Sequence, residues 1–226
     1  MKILAIECTH HIACVAVNNG SELVERFNHD WQKTTELIVP LVMDAMNAAG
    51  VRPDQLDGIA VSSGPGSFTA LRIGMSAAKG IAFGAGRPLF TVPTMQAMAA
   101  AARPQSSSPH IVTLIPSRPG EYYYSIYRSD GSEGKLTEIE SSRTMVADLP
   151  GRLEALAGEF VIVGRGLDEL AGHDASLAPY CIEASFFTAA SLLPYAEKAL
   201  SDGVDGMLAE VVPDYRQQFV SGQQKQ

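Results

Sequence analysis

The stretch Gly64-Pro65-Gly66-Ser67-Phe68-Thr69-Ala70-Leu71-Arg72-Ile73-Gly74 lies between an apolar run, Gly58 to Ser62, and a segment of small apolar residues that continues to Gly84. A glycine-proline-glycine turn followed by a hydroxyl residue predicts a sharp loop that opens a helix, here Ser67 to Gly84. The N–H groups at such a helix start attract anions. Ala70, Gly74 and Ala78 recur four residues apart, so one face of the helix lets a neighbouring backbone come close. That combination suits docking better than chemistry.

Two phosphate-loop readings fail on the residues. A P-loop needs a lysine and a hydroxyl residue after its last glycine, and Ser67 and Phe68 follow Gly66. A dinucleotide fingerprint needs a third small residue in register and an acid about 20 positions on. Ala70 is one place late, and no Asp or Glu occurs between Asp57 and Glu121. Pro65 also removes one N–H from the loop.

Outward from this stretch the chain has a regular order. Lys2–Glu7, Ile12–Asn18 and Glu22–His29 are predicted as three strands, with Asn19-Gly20 as a hairpin turn. A helix capped by Thr34 or Thr35 is expected to run to Ala49, with Leu37, Leu41, Ala45 and Ala48 on one face and Pro40 inside. Gly58–Ser62, the helix just described, Pro88–Val92 and a short helix from Thr94 to Ala102 complete a βββαβαβ unit. This order resembles the ribonuclease-H-like half-domain of sugar kinases, actin and Hsp70-type ATPases.

Arg103 to Pro109 is the linker candidate. A second, weaker copy follows: Ile111–Ile115, Tyr122–Tyr127, a turn at Asp130-Gly131, Leu136–Glu140, a helix-like Met145–Leu156, Phe160–Val163 and a helix Thr188–Ser201. The expected fold is α/β with two ribonuclease-H-like subdomains, residues 1–102 and 103–226, the second reduced. Tyr122 and Tyr124 share a face of their strand and are expected to pack in the sheet. The tail after Asp214 is polar and is expected to fray.

At 226 residues either organisation buries an adequate core. The net charge of −8 argues against the chain gripping nucleic acid phosphates alone. No apolar run has membrane-spanning length, and the opening Met1–Glu7, with an acid inside its apolar stretch, does not read as a signal peptide. Cys8, Cys14 and Cys181 make no disulfide framework. A cytoplasmic protein with free thiols is expected.

Four segments carry a resemblance to the TsaB family of bacterial tRNA threonylcarbamoyladenosine synthesis. They are Gly64–Gly74, Ile3-Leu4-Ala5-Ile6-Glu7-Cys8-Thr9, Arg118-Pro119-Gly120-Glu121-Tyr122 and Pro213-Asp214-Tyr215-Arg216. The chain departs from the family at Ala70, where glycine is usual, and at Glu7, where aspartate is usual. Pro116 stands where an aspartate is usual, and Lys33-Thr34-Thr35 where a histidine often stands. The closing segment lacks a leucine.

The resemblance implies a catalytically inert relative of the ATP-using enzyme TsaD. It implies docking to TsaD and the ATPase TsaE, a homodimer when alone, and tRNA reached only through the complex. It implies no catalytic or metal residue and no required cofactor, with ATP or ADP only at the complex interface. Glu7 and Thr9 are the cofactor-side candidates. The expected partner interface is a four-helix layer built on Leu37, Leu41, Phe68, Ala70, Leu71, Arg72, Gly74, Met75 and Ala78.

The chemistry-bearing residues agree with that expectation. TsaD relatives bind a metal through His-x-x-x-His, and none of His10, His11, His29, His110 and His173 stand four apart. A magnesium-ATP enzyme of this fold needs carboxylates on both phosphate loops. Leu114-Ile115-Pro116-Ser117 has none. Gly164-Arg165-Gly166 fits an adenosine-side turn or a plain strand-end turn. A small-molecule kinase of the same fold, or an interaction protein with another partner, remains the alternative reading.

Overall fold

The computed structural model describes residues 1–214 apart from residues 11, 130–134, 207, 209 and 210. The first three strands are β1 (Ile3–Glu7), β2 (Ala13–Asn18) and β3 (Leu23–Asn28), followed by α1 (Thr34–Ala48), β4 (Gly58–Gly64), α2 (Phe68–Ala85), β5 (Leu89–Pro93) and α3 (Thr94–Ala102). The second half runs β6 (His110–Arg118), β7 (Glu121–Ser129), β8 (Leu136–Met145), α4 (Leu149–Leu153), β9 (Phe160–Gly164), α5 (Asp168–His173), β10 (Cys181–Glu183) and α6 (Leu193–Ser201).

The sheets have the orders β3-β2-β1-β4-β5 and β8-β7-β6-β9-β10. In each, the first three strands are antiparallel; the fourth and fifth run parallel to the first. The chain therefore has the α/β fold of two ribonuclease-H-like subdomains. The second keeps all five strands. Its reduction lies in its helices: α1 and α2 have 15 and 18 residues, α4 and α5 have 5 and 6.

Three apolar layers follow from strand alternation. Ile3, Ala5, Ala16 and Val92 face Ile111, Tyr123, Tyr127 and Val163 across the centre, with α3 and α6 between the sheets. Leu4, Ile6, Val15 and Val61 meet α1 and α2 on the outer side of the first sheet. Tyr122 and Tyr124 lie, as expected, on one face and pack with Leu149, Leu153 and Leu170 outside the second. The chain then returns: α6 contacts β1, β4 and β5, and Asp214 N–H donates to the Ser63 carbonyl at 2.7 Å.

Several local expectations need correcting. The buried stripe of α1 is Thr34, Ile38, Val42, Ala45 and Met46; Leu37 and Leu41 lie half-buried on its flank and Ala48 is exposed. The stripe expected from the sequence is therefore not the buried one, because α1 is apolar on more than one side. Neither Thr34 nor Thr35 caps α1: a 3-10 turn, Trp31–Lys33, leads into it, and Thr34 is its buried first residue. Asp168–His173 and Cys181–Glu183 carry short elements that the pattern did not reveal. The Asp130-Gly131 turn, His11, Tyr215 and Arg216, and the tail past Asp214, lie outside the described residues.

Candidate functional site

A cleft of about 610 Å3 opens where the two halves meet. Thr9 and His10 line it from the loop after β1. Thr34 and Thr35 come from the start of α1, Gly66 to Ala70 from the start of α2, and Pro116 and Ser117 from the end of β6. Trp31, Phe68 and Tyr123 add aromatic surface. Among the described lining residues there is no carboxylate, lysine or arginine. The wall offers hydroxyls and rings, a donor set that fits neither a magnesium ion nor a phosphate chain well.

The glycine-rich turn is packed onto the first loop. Ser67 N–H donates to the Thr9 carbonyl at 2.9 Å, which uses one of the amides that a helix start would offer an anion. A side chain at Gly66 would place its Cβ 2.6 Å from Thr9 Cβ and O. Ser67 is the N-cap of α2, its hydroxyl accepting a long 3.5 Å bond from Ala70 N–H. This cap matches the sequence expectation.

The two cofactor-side candidates separate. Thr9 reaches the cleft wall, whereas Glu7 is wholly buried beneath it. Glu7 Oε1 accepts from Thr9 N–H at 2.9 Å and from Thr9 Oγ1 at 2.5 Å. The Arg165 guanidinium lies 3.9 Å from the same oxygen. Arg165 is itself buried, donates to the carbonyls of Ala184 and Phe187, and lies 5.3 Å from the centre of the Phe187 ring. Glu7 is thus engaged internally through Oε1 and is buried rather than presented at the cleft wall. Burial, and then the Glu7 charge, push the Cys8 and Cys14 thiols far above their ordinary range, which favours the protonated thiol over the thiolate.

The expected partner face divides as well. Leu71, Gly74, Met75 and Ala78 are buried against the chain's own first sheet, which corrects their placement as outward contacts. The small residues serve that packing: a Cβ at Gly74 would collide with the Cys8 sulfur. Ala70 is half-buried at the cleft. Phe68 and Arg72 stay exposed, with the Arg72 guanidinium 3.8 Å over the Phe68 ring. Outward apolar residues that the sequence reading passed over are Val39 (46% exposed), Met43 (60%) and Phe83 (81%). Val39 and Met43 stand four apart on α1, off its core stripe; that second apolar stripe was the available signal. Arg165 carried none beyond a Gly-x-Gly.

Comparison with known proteins agrees with this architecture. A family model for TsaD, tRNA N6-adenosine threonylcarbamoyltransferase, matches residues 31–151. The chain is 30% identical over 220 residues to the tRNA threonylcarbamoyladenosine biosynthesis protein TsaB of Escherichia coli (strain K12), covering 95% of this chain and 94% of that protein. It is 33% identical over 162 residues to the tRNA N6-adenosine threonylcarbamoyltransferase of Sorangium cellulosum, covering 65% of this chain but 44% of the enzyme. A solved Pseudomonas aeruginosa protein, described as uncharacterized with similarity to peptidase YeaZ, superimposes with a TM-score of 0.80 at 21% identity, over 96% of this chain and 99% of its own.

Proposed function

The chain belongs to the TsaB family, and from that premise we propose that it serves tRNA threonylcarbamoyladenosine synthesis as a non-catalytic subunit that docks TsaD and TsaE. The observation that carries the reading is the state of the cleft. Its described wall has no carboxylate, and the one carboxylate that ends β1 is sealed under Thr9 beside Arg165. Metal-assisted phosphoryl or carbamoyl transfer needs carboxylates presented to the ligand. In this reading the chain requires no cofactor, and ATP or ADP enters only where a partner completes the interface. The tRNA is reached through the complex.

Docking falls to the outer face of α1 and α2. Val39 and Met43 of α1 and Phe68 and Phe83 of α2 are exposed, Leu37 and Leu41 are half-buried beside the first two, and Arg72 lies over Phe68, which also borders the cleft. Exposed apolar residues rimmed by polar ones mark protein interfaces. The equivalent face of TsaD is the partner, and a second copy takes its place when the chain is alone.

Reconstitution tests the reading. TsaD and TsaE from the same source are expected to modify tRNA only when this chain is added. Equal modification without it contradicts the proposal. Among the described residues no helix is long and apolar enough to cross a membrane.

A further inference from the structure

Two buried atoms that the cleft does not use carry a further inference. Glu7 Oε2 and Arg165 Nη1 are both buried and both lack a hydrogen-bond partner. Glu7 ends the first strand of the first half; Arg165 follows the fourth strand of the second half. Their carboxylate and guanidinium approach at 3.9 Å, ion-pair distance rather than hydrogen-bond distance. Two desolvated charges held this loosely are a poor source of stability, because the cost of removing them from water exceeds what such geometry returns.

What the pair does have is direction. On one side Arg165 is tied to the second half through the Ala184 and Phe187 carbonyls. On the other, Glu7 holds Thr9 by two hydrogen bonds. The Thr9 carbonyl in turn accepts the Ser67 N–H, and the Thr9 backbone presses on Gly66. Cys8, between them, donates its thiol to the Ala70 carbonyl at 3.1 Å. A continuous chain of contacts therefore runs from the second half to the first turn of α2.

We propose that Arg165 is a positioning residue: through Glu7 and Thr9 it lets the second half set the placement of the start of α2, including exposed Phe68 and, one turn on, Arg72. This rests on the docking role of α2 argued above. Arg165 is itself buried, so its influence on that surface runs through these contacts. Its fork suits the task, since one guanidinium reaches two carbonyls and a carboxylate at once, which a lysine ammonium does not match.

The test compares the parent with the double variant Glu7→Gln/Arg165→Met, measured by residue-resolved hydrogen exchange and by association with TsaD. The double variant leaves no unmatched buried charge, so it is expected to melt at or above the parent. The Thr9 amide is expected to exchange about tenfold faster, the size that losing the charge on its acceptor gives, and the Ser67 amide, which donates to the Thr9 carbonyl, is expected to follow in the same direction. TsaD binding is expected to weaken with them. Unchanged exchange at Thr9 and Ser67 in the folded double variant overturns the relay, whatever happens to binding. The single variant Arg165→Lys keeps the Glu7 carboxylate and alters only the fork, so it is expected to exchange faster than the parent and more slowly than the double variant; parent-like protection there also contradicts the role of the fork. A Met43→Glu variant, far from the relay in sequence, reports separately on the docking reading. If Met43→Glu binds TsaD normally while exchange responds to the double variant, the relay stands and the docking face is wrong.

Discussion

Strand for strand, the first half and the second half repeat one another: three antiparallel strands, then two parallel, in the same order. Outside the sheets they part. The first half covers its outer face with helices of 15 and 18 residues, whereas the second uses helices of 5 and 6. Tyr122 and Tyr124, buried on the outer face of the second sheet, supply bulk that longer helices supply elsewhere. A short helix presents little surface beyond what it buries. A helix of four or five turns has a second face to offer, and α1 and α2 expose apolar residues on it. The sheet is thus the shared frame, and the long helices distinguish the half that carries the proposed docking face.

The most damaging way to break the comparison is at the join. Arg165→Met alone leaves Glu7 buried without its cation, and is expected to cost about 3–5 kcal/mol. Chemical denaturation measures it; a loss under about 1 kcal/mol shows that the halves are not coupled through this pair.

Two glycines of α2 sharpen the difference between its faces. Gly74→Ala drives a Cβ into the Cys8 sulfur and is expected to lower stability by about 1–3 kcal/mol. Gly80→Ala meets nothing within 4 Å and is expected to raise it by about 0.5–1 kcal/mol. Equal effects in thermal melts contradict the assignment of an inner and an outer face.

The smallest effect lies in the second half. Burial, then the hydrogen bond to Glu140, push the Tyr124 hydroxyl up to about 12 from 10.0. The folded state favours the neutral phenol, so this contribution is complete below pH 10 and fades as pH rises towards 12. Tyr124→Phe is expected to flatten the fall in stability over that window. Denaturation midpoints at several pH values check it, and an unchanged slope contradicts the placement of Tyr124.

Much of this was legible in the sequence because its signals are local. Alternation and the Asn19-Gly20 turn placed the first three strands within a residue or two of Ile3–Glu7, Ala13–Asn18 and Leu23–Asn28. Ser67 announced its cap. The inner face of α2 was misread, and the buried stripe of α1 was not singled out, for one physical reason. Both helices are apolar on two sides, and periodicity alone does not say which side meets the sheet. Met75 and Ala78 look like contact residues until Cys8 and Ile6 are seen beneath Gly74. Arg165 was out of reach because its partner is 158 positions away, brought near only by the meeting of the two halves.

The central claim is that this chain works by its α1–α2 face and not by chemistry in its cleft. The direct measurement is tRNA threonylcarbamoylation by TsaD and TsaE with either of two variants in place of the parent. Met43→Glu puts a charge on the exposed face without touching the core; Thr35→Val/Ser117→Ala strips two hydroxyls from the cleft wall. The account predicts that the first variant, folded and melting within a degree or two of the parent, loses most of its support of the reaction, and that the second keeps it. Full support from Met43→Glu together with loss in the cleft variant would contradict it.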